Sequence, residues 1–194
     1  QEIFSMQELT EAFSLDRVSK SGARFQPEKA KWFNAQYMHH KSDAELAVLY
    51  QPILKAHGID VPDEVAGRVA GIMKERATFI GDLWDLTSFF FVAPTEYDEK
   101  QTRKYWKGDN PAILARLREV LATIDDFSLE NTERIVHAWI EENGYPMGQV
   151  MNTLRLALVG AGKGPGMYDV TSFLGKEETL RRIDSLIANL KPAE

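Results

Sequence analysis

Two arginines and one glycine-proline turn are the groups in this 194-residue chain whose type and spacing could do chemistry. Arg76 follows Ile72 by four and Met73 by three and precedes Ile80 by four, so the spacing predicts it along an apolar helical stripe. Arg155 follows Met151 by four and adjoins Leu154 and Leu158 on a second predicted helix. A guanidinium held at the edge of a packed face projects five fixed donors, suited to bidentate contact with a base edge. Its planar face can also stack on an unstacked base. The same spacing equally fits an arginine whose stem covers apolar surface while its head pairs with a carboxylate. Between Arg155 and the end of the chain, Gly162-Lys163-Gly164-Pro165-Gly166 forms a stiff turn.

Other candidate chemistry is weaker. The segment Gly160–Gly166 carries a lysine but lacks Gly-x-x-x-x-Gly-Lys-Ser/Thr and a preceding strand, so it is no phosphate cradle. His39, His40, His57 and His137 are scattered, and the side chains of adjacent His39 and His40 diverge on a helix, so no metal site is expected. Asp82 with Asp85, and Asp125 with Asp126, read as solvated faces or caps rather than acid/base pairs. No Ser/His/Asp arrangement is supported, and no catalytic residue is expected.

Composition narrows the class. Apolar residues at 44% and aromatics at 10% predict a folded chain with a real core. No apolar run approaches the roughly 18–20 residues of a membrane helix, and no signal-peptide pattern appears, so no membrane association is expected. Zero cysteines exclude disulfides and thiolate metal sites and fit a reducing, cytoplasmic setting. The first residue is glutamine, which predicts a piece of a longer chain or a processed product.

A net charge of −6 argues against DNA binding and against a simple basic nucleic-acid binder. Its distribution is uneven: residues 1–41 and 146–194 each carry +1, whereas 42–109 and 110–145 each carry −4. The ends could meet phosphate while the middle repels it. An acidic middle also fits a free-standing helical protein-interaction domain, with the arginines as structural ion-pair residues.

Helices must position these groups. Ser5 with Glu8 and Ser42 with Glu45 are capping boxes, the second opening the stripe Leu46, Leu49, Tyr50, Ile53 and Leu54 up to Gly58. Pro52 inside that stripe predicts a kink or restart. Pro62 opens a run through Val65, Val69, Ile72, Met73 and Ile80. Asn110-Pro111 reads as an N-cap and first helical position, Ser128 opens the next helix, and Gly144 stops it. A final helix is expected from about Lys176 to Leu190. Phe89-Phe90-Phe91-Val92 fits a short strand or a buried helix end equally well. The chain is therefore predicted to be all-α.

Several of these segments together resemble one family. The stretch FSLDRVSKSGARFQPEKAKWFNAQY from Phe13, with Lys29-x-x-Trp32-x-Asn34-x-x-Tyr37 its specific part, resembles the connecting segment of glutamyl-tRNA synthetases. Lys74-Glu75-Arg76 and the Gly148–Lys176 segment resemble the family's later anticodon-binding signatures, in the right order. Arg17–Ser21 looks like the lysine-containing ATP loop of class I synthetases, but in this family the segment lies downstream of that loop, so it reads as a solvated basic turn.

The resemblance implies two consecutive helical anticodon-binding subdomains, 41–97 and 98–194, after a stem-contact connecting segment, 1–40. It implies a monomer that binds tRNA-Glu and holds no cofactor itself, within an enzyme that joins glutamate to tRNA-Glu using ATP and magnesium. Arg76 matches the arginine that, in discriminating members, selects cytosine over uracil at the first anticodon position. Arg155 matches a helix arginine near the anticodon bases, and Gly164, Pro165 and Met167 fall in the base-reading turn. Here glycine stands where some members have threonine, and methionine where they have leucine, leaving backbone contact as the role implied at Gly164. Arg24, Lys29, Lys31, Lys41 and Lys163 are the implied tRNA-backbone contacts, which position without specifying.

Overall fold

Both capping boxes form. The Ser5 hydroxyl accepts from the Glu8 amide while the Glu8 carboxylate accepts from the Ser5 amide, opening α1 (Met6–Ala12). Ser42 and Glu45 repeat the exchange at the start of α3 (Asp43–Ala56). Between them lies α2 (Pro27–His39), entered through proline at its first position. This computed structural model describes residues 2–18, 22 and 24–193; Ser19, Lys20 and Ser21 of the basic turn lie outside the described residues. Ten α-helices and no strand occur among the described residues, as expected of an all-α chain.

Contacts divide the chain into two units, Gln1–Leu86 and Thr87–Glu194. The first is built on α3 packed against α4 (Asp63–Met73). Leu46, Ala47, Tyr50 and Leu54 of α3 and Val69, Ala70 and Met73 of α4 are buried. Each such large apolar side chain contributes about 1.5–3 kcal/mol on burial. That packing carries α3 through Pro52 without a break, because the exposed proline removes only its own N–H from the ladder.

The run expected to continue to Ile80 stops at Met73. A single 3-10 turn, Lys74–Arg76, follows, and Ala77 is extended and buried. The next helix, α5 (Asp82–Phe91), explains the stop: Asp82 Oδ2 accepts from both Thr78 N and Phe79 N at 2.9 Å, drawing those amides out of a continuing α4. The aromatic run Phe89-Phe90-Phe91 is a helix end rather than a strand, with Phe89 and Phe90 buried and Phe91 half-buried.

The second unit contains α6 (Glu99–Tyr105), α7 (Asn110–Thr123), α8 (Leu129–Glu142), α9 (Met147–Val159) and α10 (Met167–Asn189). Asp98, not anticipated as a cap, accepts the Gln101 amide at 2.8 Å and opens α6. At α7 the N-cap is Asp109; Asn110 is helical and buried, and its amide donates to Tyr105 O at 2.8 Å. The last helix begins at Met167 rather than Lys176 and carries non-helical Gly175, so the expected final helix is its second part. α10 packs on α7, α8 and α9 around Leu117, Leu121, Val136, Leu154 and Ile183. Trp106 Nε1 donates to Leu190 O at 2.8 Å, tying the end of α10 to the α6–α7 connection.

Candidate nucleic-acid interface

Arg76 stands at the exposed end of the 3-10 turn, not on an apolar stripe, because α4 ends three residues earlier. Its guanidinium makes no hydrogen bond or ion pair among the described residues. The turn beneath it is held from α2 and from α5. Asn34 of α2 donates its side-chain amide to Thr78 O. His39 Nδ1 lies 3.4 Å from the Glu75 carboxylate, and Lys74 Nζ donates to Lys41 O at 2.9 Å. Asp82 secures the other side. A long charged side chain on so many tethers costs less entropy to fix on a ligand than one on a free loop.

Arg155 is half-buried in the penultimate turn of α9. That helix ends at Gly160, whose φ of 76° is left-handed, so glycine carries it without strain. A Cβ there would also sit 2.8 Å from Glu96 O. Asp98 N donates to Gly160 O at 2.8 Å, anchoring the start of the turn that follows. At Gly164 the turn passes directly under Arg155: a Cβ on Gly164 would lie 2.9 Å from Arg155 Nη1 and 3.9 Å from Phe89 Cζ and Val159 Cγ1. The missing side chain is what lets the guanidinium reach the backbone. Pro165 and Met167 are buried, Met167 at 3% exposure, so they anchor the end of the turn and the start of α10. Arg155 and the Gly164 backbone are the half-exposed groups between.

Lys163 is exposed and lines a cavity of about 400 Å³ with Asp98, Lys100, Gln101, Ala161 and Gly162. Arg24 and Lys29 meet in the other unit, lining a cavity of about 350 Å³ with Phe25, Gln26, Ala30 and Phe33. Lys29 Nζ lies 5.7 Å from the centre of the Phe33 ring. Cations beside exposed aromatics are the usual lining of a single-strand nucleic-acid groove. Lys31 instead pairs with Glu28 at 3.1 Å, and Lys41 is half-buried with its carbonyl engaged by Lys74. Arg76, Lys41 and the Arg24–Lys31 group belong to the first unit, Arg155, Lys163, Gly164, Pro165 and Met167 to the second.

Sequence reasoning passed over a cavity of about 560 Å³ lined by Lys104, Lys107, Asn110, Gly148, Gln149 and Asn152 among others. Gln149 donates to Asn110, whose amide in turn holds Tyr105 O. The signal available was the run Lys100–Lys107, with four basic residues interleaved with Tyr105 and Trp106. Among the described residues no group of three or more His, Asp or Glu could hold a metal, and no helix is long and apolar enough to cross a membrane.

Residues 37–187 match the family model described as an anticodon binding domain. The chain belongs to this family. The match takes in Arg76, Arg155 and the whole turn around Gly164. The glutamate–tRNA ligases of Phocaeicola vulgatus and Bacteroides fragilis are 54% and 52% identical to it over 191 residues, 98% of this chain and 38% of each of those proteins. The crystal structure of a glutamate tRNA ligase from Elizabethkingia meningosepticum, in complex with its amino acid, superposes with a TM-score of 0.93 at 41% identity, again over 98% of this chain and 38% of that one. The chain thus spans 38% of the length of these relatives, and the anticodon-binding family match covers its residues 37–187.

Proposed function

We propose that the chain is the tRNA-reading part of a glutamate–tRNA ligase and binds tRNA-Glu, as a monomer in the cytoplasm, through its anticodon. Joining glutamate to that tRNA with ATP and magnesium would be the work of the whole enzyme. The observation that carries the reading is the seat of Arg155 on the Gly164 backbone, within the region matched by the anticodon-binding family.

Bases extruded from an anticodon loop present unpaired edges and faces. Nη1 of Arg155 is buried against the Gly164 turn, so a base would meet the half-exposed remainder of this side chain beside the half-exposed turn backbone. Arg76, on its tethered turn, offers an exposed donor fork at another position and would read the first anticodon base. Lys163, Arg24 and Lys29 supply charge for the RNA backbone, with Lys31 and Lys41 in supporting positions. Pro165 and the buried Met167 keep the turn in shape. Because the turn is ordered before the RNA arrives, less of the contact energy is lost to ordering.

The test is a titration of the chain with tRNA-Glu and with other tRNAs at two salt concentrations. Saturable, salt-sensitive binding that prefers tRNA-Glu is expected. Equal affinity for all tRNAs would sink the reading.

A further inference from the structure

Arg182 lies in the second part of α10, is 2% exposed, and takes no part in the interface described above. Its Nη1 donates to two backbone carbonyls, Phe89 O at 2.6 Å and Leu158 O at 2.8 Å. These belong to the last turns of α5 and α9, where carbonyls have no partner within the helix and the helix dipoles are negative. Its Nε donates to Glu178 at 2.7 Å, and Arg181 forks onto the same carboxylate. A buried guanidinium is retained only when its charge and donors are met, and here a carboxylate and two carbonyls meet them.

The two carbonyls are not arbitrary. The ring of Phe89 and the side chain of Val159, the residue after Leu158, are the two groups 3.9 Å from the Cβ position of Gly164. Arg182 therefore grips, from behind, the backbone of both walls beside the place where Arg155 meets the turn. Leu158 also lies three residues after Arg155 on α9.

We propose that Arg182, held by Glu178, is a positioning residue for base reading: it fixes the ends of α5 and α9 so that Arg155 and the Gly164 backbone keep one spacing. This rests on the turn being a reader of anticodon bases. A lysine at 182 keeps the charge but has no planar fork to span two carbonyls and a carboxylate at once.

The test compares the chain with Arg182→Lys, Glu178→Gln and, as control, Arg118→Met, which breaks the two-bond Arg118–Asp184 pair, 2.9 Å in each contact, between α7 and α10. Each is measured for melting temperature, for amide exchange across residues 158–166, and for binding to tRNA-Glu transcripts changed singly at each anticodon position. Arg182→Lys should speed exchange in 158–166 and lower discrimination about tenfold, the worth of one charge-assisted hydrogen bond. That loss should fall at the bases that Arg155→Ala also affects and spare the base affected by Arg76→Gln. Arg118→Met should lower the melting temperature alone. If Arg182→Lys behaves like that control, the inference is overturned and Arg182 is a core residue only. If the unaltered chain shows no anticodon preference, the base-reading proposal fails instead, and unchanged exchange in 158–166 then overturns the positioning role separately.

Discussion

Replacing Gly164 by alanine isolates the contact on which the functional reading rests. The added Cβ would stand 2.9 Å from Arg155 Nη1, whereas ordinary contact begins at 3.4 Å. The guanidinium must withdraw by about 0.5 Å, enough to carry a hydrogen bond of normal length past the useful limit of roughly 3.2 Å. The obstructing atom is the far end of a long side chain, and the next neighbours are 3.9 Å away, but the Gly164 φ of +159° is one that L side chains rarely adopt. Stability should therefore fall by about 1–3 kcal/mol, separately from any change in discrimination. Discrimination should fall by about 1–2 kcal/mol, part of the worth of a bidentate base contact borrowed from DNA readout, which is roughly five- to thirtyfold. The assay is competition binding at fixed salt, reporting the affinity ratio of tRNA-Glu to anticodon variants, with thermal melting alongside. Gly148→Ala is the control, since a Cβ there meets nothing within 4 Å. Gly164→Ala with full discrimination, or with equal weakening toward every tRNA, would refute the reasoning that Arg155 is aimed by the bare backbone beneath it.

Arg76→Gln should cost about 1–3 kcal/mol of preference at the first anticodon base with little change in melting, because the exposed guanidinium holds nothing in the fold; a lower melting temperature with intact preference contradicts this. Lys163→Ala should weaken binding to all tRNAs alike and reduce the salt slope by about one, read from affinities over a salt series. Leu154→Ala, fully packed in the second unit, should destabilise by about 2–5 kcal/mol in urea unfolding. Hydrogen bonds from Arg181, then from Arg182, hold the Glu178 carboxyl down at about 2 from 4.5. The folded state thus binds that proton more weakly than the unfolded state. Its contribution, on the order of 1–2 kcal/mol after solvent screening, is complete above about pH 4.5 and lost as pH falls toward 2. Urea midpoints of the chain and of Glu178→Gln should converge over that window, and a constant gap would exclude the linkage.

Much of the scaffold was legible along the chain. Capping boxes depend on residues three apart, and the Gly58 and Gly144 helix ends on one residue's φ, so Ser5, Ser42 and these two stops read correctly. The Arg76 stripe did not, because a 3.6-residue period cannot register that Asp82 captures the amides of Thr78 and Phe79. Asn110 likewise reads as a cap by type, yet it is already helical and its side chain turns inward to Tyr105, and Asp109 before it makes no side-chain cap bond. The order of motifs carried the family resemblance, which the match over residues 37–187 then bears out.

The all-helical class and the helix starts marked by the Ser5 and Ser42 capping boxes were determined by the sequence alone, because they follow from local propensity and period. Tertiary structure alone decided which donors could work together. Arg155 and Gly164 are nine residues apart and become one surface only because Gly160 turns the chain back beneath the helix. Arg182 and its two carbonyls are separated by 93 and 24 residues and meet only through packing. Such contacts depend on distances through space, and a one-dimensional pattern has no term for them.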